Sequence, residues 1–129
     1  IFIDVIGLGA GVVDRCRELG LPVVGVNVAE SPSVQDRYSR LRDELWFEAR
    51  EWFERRDVTI PSDQALMAEL SLPSYKVLSN GKIKVESKDE MKSRGVTSPD
   101  LADAFCLTFA KGASSMSKRP IVYPSKSYV

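Results

Sequence analysis

The spacing of apolar residues changes character several times along the chain, and each change marks an element. Residues 1–6 form an apolar run broken only by Asp4, the pattern of a short strand buried in a parallel sheet. A turn, Gly7-Leu8-Gly9-Ala10-Gly11, follows. Val12, Val13, Cys16 and Leu19 then recur at helical spacing until Gly20 and Pro22 end the helix. Residues 23–28 read as a second strand, so the chain opens with a β-α-β unit. After a loop over 31–38, Leu41, Leu45, Ala49 and Trp52, with Trp46 and Phe53 beside them, predict a long amphipathic helix from 39 to about 56. Arg40, Arg42, Asp43, Glu44, Glu48, Arg50, Glu51 and Glu54 fill its other positions and are expected to face solvent, while the aromatics pack inward. Residues 58–61 suggest an extended piece. Ser62 is expected to cap a helix running to Leu70, with Ala65, Leu66 and Leu70 inward.

The second half is shorter in its periods. Residues 75–78 and 82–85 flank Ser79-Asn80-Gly81, and Asn-Gly predicts a hairpin closed by a type I′ turn. Lys82 and Lys84 fall on one face of that hairpin, opposite Ile83 and Val85. A short helix over 88–94 comes next. Ser98-Pro99 is expected to cap a last helix through about 110, with Pro99 at its first position. The fold class is therefore α/β. Residues 111–129, rich in Ser, Lys and Pro, read as a poorly ordered tail.

Composition narrows the chemistry. The chain has 129 residues, 43% of them apolar, which suits one domain with a core. No stretch approaches the roughly 18 consecutive apolar residues of a membrane span, so no membrane partner is expected. Cys16 and Cys106 are too few for a disulfide framework and read as reduced thiols of a cytoplasmic type of protein. The absence of His excludes a histidine base, so acid–base or metal chemistry must rest on carboxylates. Eighteen Lys plus Arg balance eighteen Asp plus Glu, but unevenly: residues 1–75 hold 8 basic and 13 acidic side chains, residues 76–129 hold 10 and 5. A basic second half suits contact with a polyanion, and equally a solubilising lysine surface.

Three aspartates stand out. Asp4 interrupts an apolar strand, where a carboxylate is costly to desolvate without a positive partner, and no base flanks it. A divalent cation with oxygen ligands, Mg²⁺ or Mn²⁺, is one answer. Asp100 and Asp103 stand three residues apart at the start of the last helix, so their carboxylates share a side. Asp100 also suits the helix dipole there, whereas Asp103 lies among Ala102, Ala104, Phe105 and Leu107 on a helix that must pack. Strand and helix carboxylates arranged together are the layout of a two-metal phosphodiester-cleaving site. The glycine turn offers a different reading, a nucleotide-binding module using Gly7, Gly9 and Gly11 with Glu30 as a ribose acid. Its third glycine comes one place too early for the dinucleotide fingerprint, however, and a tight strand-to-helix turn explains the glycines as well.

The string Ile83-Lys84-Val85-Glu86-Ser87-Lys88-Asp89-Glu90-Met91-Lys92-Ser93-Arg94-Gly95, followed by Ser98-Pro99-Asp100-Leu101-Ala102-Asp103-Ala104, closely resembles the end of the C-terminal nuclease domain in the large terminase subunit of tailed bacteriophages. The opening, Ile3-Asp4-Val5-Ile6-Gly7-Leu8-Gly9, resembles that family's second acidic strand and its glycine turn, and Tyr38 to Trp46 also resembles the family; the three segments keep the family's order. The resemblance covers residues 1–110 or so. It implies a ribonuclease H-like mixed sheet flanked by helices, with an extra hairpin beside the active site. It implies a metal-dependent endonuclease that cuts concatemeric double-stranded DNA by two-metal-ion hydrolysis, with Asp4, Asp100 and Asp103 as catalytic and metal-binding residues and Mg²⁺ or Mn²⁺ as cofactor.

Lys82, Lys84, Lys88 and Arg94 would contact DNA phosphates without sequence preference. The partners implied are double-stranded DNA, an upstream ATPase domain of the same polypeptide, the small terminase subunit and the portal, in the cytoplasm of an infected bacterial host. The family's first acidic strand has no counterpart here, so residues 1–112 are expected to form an N-terminally truncated nuclease domain with weak or no cleavage, and 113–129 a tail. A junction resolvase or recombinase on the same fold would use the same carboxylates. A DNA-docking domain with vestigial acids is the non-catalytic alternative.

Overall fold

The computed structural model describes residues 1–110; the expected tail lies outside the described residues. Nine elements follow in order: β1 (Phe2–Asp4), α1 (Gly9–Glu18), β2 (Val24–Val26), α2 (Leu41–Glu54), α3 (Gln64–Leu70), β3 (Tyr75–Val77), β4 (Ile83–Val85), α4 (Lys88–Ser93) and α5 (Asp100–Leu107). β1 and β2 pair in parallel, Asp4 opposite Val26, with α1 as the crossover, as the opening pattern predicts. β3 and β4 form the antiparallel hairpin, Lys76 opposite Lys84. Parallel and antiparallel pairing therefore both occur, in two two-stranded sheets, with a parallel bridge between Tyr38 and Ile83.

The hairpin turn departs from the type I′ expectation. Type I′ needs positive φ at both central residues, and among Ser79, Asn80 and Gly81 only Gly81 has it, at 81°. Leu78 N–H donates to the Lys82 carbonyl at 2.8 Å and Gly81 N–H to the Leu78 carbonyl at 2.9 Å, a three-residue loop in which glycine takes the left-handed position.

α2 runs through the middle of the core. Leu45, Trp46, Phe47 and Ala49 pack with Val26, Tyr38, Val85, Ala102, Cys106 and Leu107, so the aromatics of this helix do pack inward. Trp52 joins Phe53, Phe105 and Phe109 in a cluster with ring centroids 5.1–6.0 Å apart. Two of its charged residues contradict the solvent-facing expectation: Asp43 is 4% exposed and Glu44 is 1% exposed. Both are buried because neighbours supply donors. Asp43 accepts from the backbone N–H of Arg40 (2.9 Å) and of Val85 (2.8 Å), and Glu44 accepts from the N–H and hydroxyl of Ser33 at 2.6 and 2.5 Å.

Helix starts also differ from the sequence pattern. Asp63, not Ser62, caps α3, accepting from Leu66 N–H at 3.0 Å; Ala65 is exposed because α3 lies at the rim. α5 begins at Asp100 with Pro99 as its flanking residue, and Ser98 does not cap it. Glu69 of α3 does so instead, accepting from the N–H groups of Leu101 (2.7 Å) and Ala102 (3.1 Å). Ser87 and Glu90 form a reciprocal capping box at the start of α4, whose Met91 is fully buried.

Gly9 explains the opening turn. A Cβ there would lie 1.7 Å from the Asp4 carbonyl oxygen, whereas one on Gly11 would meet nothing within 4 Å. Gly9→Ala is expected to lower stability by roughly 3 kcal/mol or more through overpacking. Gly11→Ala is expected to be neutral or to gain up to about 1 kcal/mol from helix propensity. Urea unfolding of the two variants checks the pair, and equal effects contradict the packing account.

A pH prediction follows from the bridge between the hairpin and α4, where Lys76 Nζ lies 2.8 Å from Glu90 Oε1. The hydrogen bond from Lys76, with those from the Ser87 N–H and hydroxyl, holds the Glu90 carboxyl down at about 2 from an ordinary 4.5. A depressed carboxyl contributes stability that is present above its unfolded value and lost as pH falls towards its folded value. Glu90→Gln is therefore expected to melt below the wild type at pH 7, with the gap closing between pH 4.5 and about 2. A gap that does not change with pH contradicts this.

Candidate functional site

β1 ends at Asp4, so this carboxylate stands at the C-terminal edge of the strand and not inside it, as the sequence pattern has it. That edge is where parallel strands deliver functional groups. Asp4 is half-buried, and its Oδ1 accepts from Ile6 N–H at 3.0 Å. It shares a cavity of about 240 Å³ with Asp100 and Asp103 at the start of α5, and with Arg42 and Trp46 of α2, Lys88 of α4 and Cys106 of α5. The fold thus brings the three predicted aspartates to one cavity from two ends of the chain. It also brings two bases, Arg42 and Lys88, which the sequence around Asp4 lacks.

The two helix carboxylates differ in surroundings. Asp103 is about one-fifth exposed and is surrounded by donors: Trp46 Nε1–H donates to Oδ1 at 2.9 Å, Arg42 Nη2 lies 3.2 Å from the same oxygen, and Lys88 Nζ lies 3.1 Å from Oδ2. Asp100 stands three-quarters exposed at the rim, where it accepts from Ser98 Oγ (2.6 Å) and Lys88 Nζ (3.0 Å). These two bonds, the serine first, lower its pKa from the ordinary carboxylate value. Burial works to lower the Lys88 ammonium, but its hydrogen bonds to Asp100 and Asp103 outweigh this and raise it above the ordinary lysine value. Cys106, buried behind Asp103, is pushed up to about 12 by burial and the nearby carboxylate, so it stays a thiol.

Carboxylate oxygens around a cavity suit a hard divalent cation. The spacing is looser than the chemistry: among the described residues, no three Asp, Glu or Cys side chains converge closely enough to hold a metal ion. Lys88 takes up the space between Asp100 and Asp103 and neutralises them in this conformation. The oxygen donors suit such an ion in kind: Asp4 and Asp103 line the same cavity, and Lys88 sits on a flexible stem.

Beside this cavity lies a second hollow of about 500 Å³, lined by Asp4, Arg40, Arg42, Lys84, Lys88 and Asp89 among others. Lys84 and Lys88 thus face the acidic cavity's approach, together with Arg40, which sequence reading passed over. Lys82, just before β4, does not line the hollow. Arg94 is committed elsewhere: its guanidinium makes two bonds to Glu86 (2.7 and 2.9 Å) and one to the Leu72 carbonyl (2.7 Å), which ties α4 to the hairpin. Sequence reading also passed over Arg42 and Trp46 as site residues. The available signal was the tryptophan itself, because a buried indole N–H needs an acceptor and Phe would have served for packing alone.

No family model matches the chain, and no curated protein matches it. Solved structures do. The nuclease domain of the large terminase subunit of bacterial virus Sf6 superposes with a TM-score of 0.65 at 24% identity, covering 82% of this chain and 63% of that one. A mutant of the same domain with manganese gives 0.66 at 24% identity, covering 82% and 64%. A mutant with calcium gives 0.66 at 24%, covering 82% and 63%. The chain spans less than two thirds of those domains' length. The chain therefore has the α/β fold of the nuclease domain of the Sf6 large terminase subunit.

Proposed function

We propose that this chain is the nuclease domain of a viral DNA-packaging terminase, a Mg²⁺- or Mn²⁺-dependent endonuclease acting on concatemeric double-stranded DNA. The observation that carries the reading is the meeting of Asp4 and Asp103 in one cavity on this fold, from strand and helix positions 99 residues apart in sequence. Asp103 is the principal helix ligand, because it is walled in by Trp46 and Arg42, and Asp100 is a rim residue that tethers Lys88. A pair of divalent ions bound there would make water nucleophilic near neutral pH and offset the charge that builds on the phosphate. The protein's own part is to orient Asp4 through the Ile6 N–H, to keep Asp103 in place, and to lead the DNA backbone to the cavity with Lys84, Lys88 and Arg40. Lys82 adds a phosphate contact on the hairpin face. The nuclease unit spans residues 1–112, with 113–129 as its tail. The upstream ATPase, the small subunit, the portal and the host cytoplasm belong to this reading as well.

The ion pairs of Lys88 with both helix carboxylates favour one second reading, a DNA-docking domain whose acids serve only as salt-bridge partners. The two readings separate on the carboxylates. With supercoiled plasmid at low salt and Mn²⁺, the nuclease reading predicts slow nicking that falls at least tenfold in Asp4→Ala and Asp103→Ala, with salt-sensitive DNA binding kept in both. Nicking indifferent to both changes, or DNA binding with neither nicking nor any Mn²⁺ binding, supports docking and contradicts the nuclease.

A further inference from the structure

An aspartate carboxyl rotates through a broad torsional well, so a ligand oxygen needs outside contacts to keep one direction. Asp103 has two such contacts from α2, both on Oδ1. Trp46 is 9% exposed, and its Nε1–H donates at 2.9 Å. Arg42, one turn earlier on the same face, places Nη2 at 3.2 Å. Its guanidinium is fixed in turn: Nη1 donates to the Glu86 carbonyl at 2.9 Å, and the group lies 5.7 Å above the Trp46 ring. Glu86 is itself gripped by Arg94 and by Ser74 N–H. Both Arg42 Nε and Nη2 are buried; Nη2 has only its ion pair with Asp103 and Nε has no hydrogen-bond partner, so burying this guanidinium costs more than burying an ordinary packing residue. Oδ2 is left facing Lys88 and the cavity.

We propose that Trp46 and Arg42 are positioning residues which together hold Asp103 Oδ1 and so aim Oδ2 into the cavity as a preorganised ligand for the divalent ion. The proposal rests on the nuclease reading, in which Asp103 binds that ion. Packing alone does not require this pair: Phe supplies a smaller aromatic for the core without the N–H, and Lys neutralises Asp103 without the planar fork. Outer contacts of this kind set the direction and basicity of a metal ligand.

The test is titration calorimetry of Mn²⁺ into the 129-residue chain, with Tm recorded alongside, for Trp46→Phe, Arg42→Lys, Asp103→Asn and Trp52→Phe. Trp52 packs in the aromatic cluster away from the cavity and serves as a control for core damage. Trp46→Phe and Arg42→Lys are each expected to weaken Mn²⁺ binding roughly tenfold or more. Trp52→Phe is expected to lower Tm as Trp46→Phe does and to leave Mn²⁺ affinity unchanged. If Trp46→Phe fails to fold, Arg42→Lys decides alone. Wild-type affinity in Trp46→Phe and Arg42→Lys, with binding lost in Asp103→Asn, overturns the positioning role and leaves the metal site standing. A wild-type chain that binds no Mn²⁺, or an Asp103→Asn chain that binds it as tightly, overturns both.

Discussion

Two carboxylates buried side by side at the start of α2 set the terms for the rest of the molecule. A buried carboxylate without donors costs several kcal/mol, so Asp43 and Glu44 hold in place whatever donates to them. Asp43 takes the Val85 N–H and fixes β4 against α2, while Glu44 takes Ser33 and fixes the loop after β2. Burial raises the Asp43 pKa from its ordinary value, with the N–H groups of Val85 and Arg40 working against that rise. The neighbouring residues Arg42 and Trp46 reach to α5. One turn of helix thus locates the hairpin, the loop and the helix that carries Asp103. The cavity's geometry is inherited from that turn.

The cavity itself balances charge by proximity. Asp100 and Asp103 share one ammonium, Lys88, and Asp103 has Arg42 in addition. A cation binding Asp103 Oδ2 must take the place of Lys88 there, so the lysine and the ion are alternatives on one oxygen. Lys88 also lines the wider hollow with Lys84 and Arg40, where a displaced ammonium would meet a phosphate. Metal binding and DNA approach are therefore linked through one side chain on the nuclease reading.

Much of this architecture is legible in sequence, where the signal is local. The β-α-β opening, the hairpin and the inward aromatics of α2 follow from periodicity and from Asn80-Gly81, and Gly9 reads as a tight turn because its neighbour in space, Asp4, is also near in sequence. What is not legible depends on distant partners. Ser98 looks like the cap of α5, but Glu69, some thirty residues away, supplies the acceptor. Asp43 and Glu44 look like a solvated face, and only the fold brings Val85 and Ser33 to them. Arg94 looks like a free base, and only the fold sets Glu86 and Leu72 beside it. At the cavity, Asp4, Asp100 and Asp103 stand out beforehand by motif and pattern, whereas Trp46 and Arg42 are hidden among the core and surface positions of a helix.

The central claim is that Asp4 and Asp103 are walls of one divalent-ion site. A crystal of this chain soaked in Mn²⁺ and measured at the manganese absorption edge tests it directly. The account predicts an anomalous peak between the Asp4 and Asp103 carboxylates, with Lys88 withdrawn from Asp103 Oδ2. A cavity without a peak, and with Lys88 still bridging Asp100 and Asp103, would contradict it.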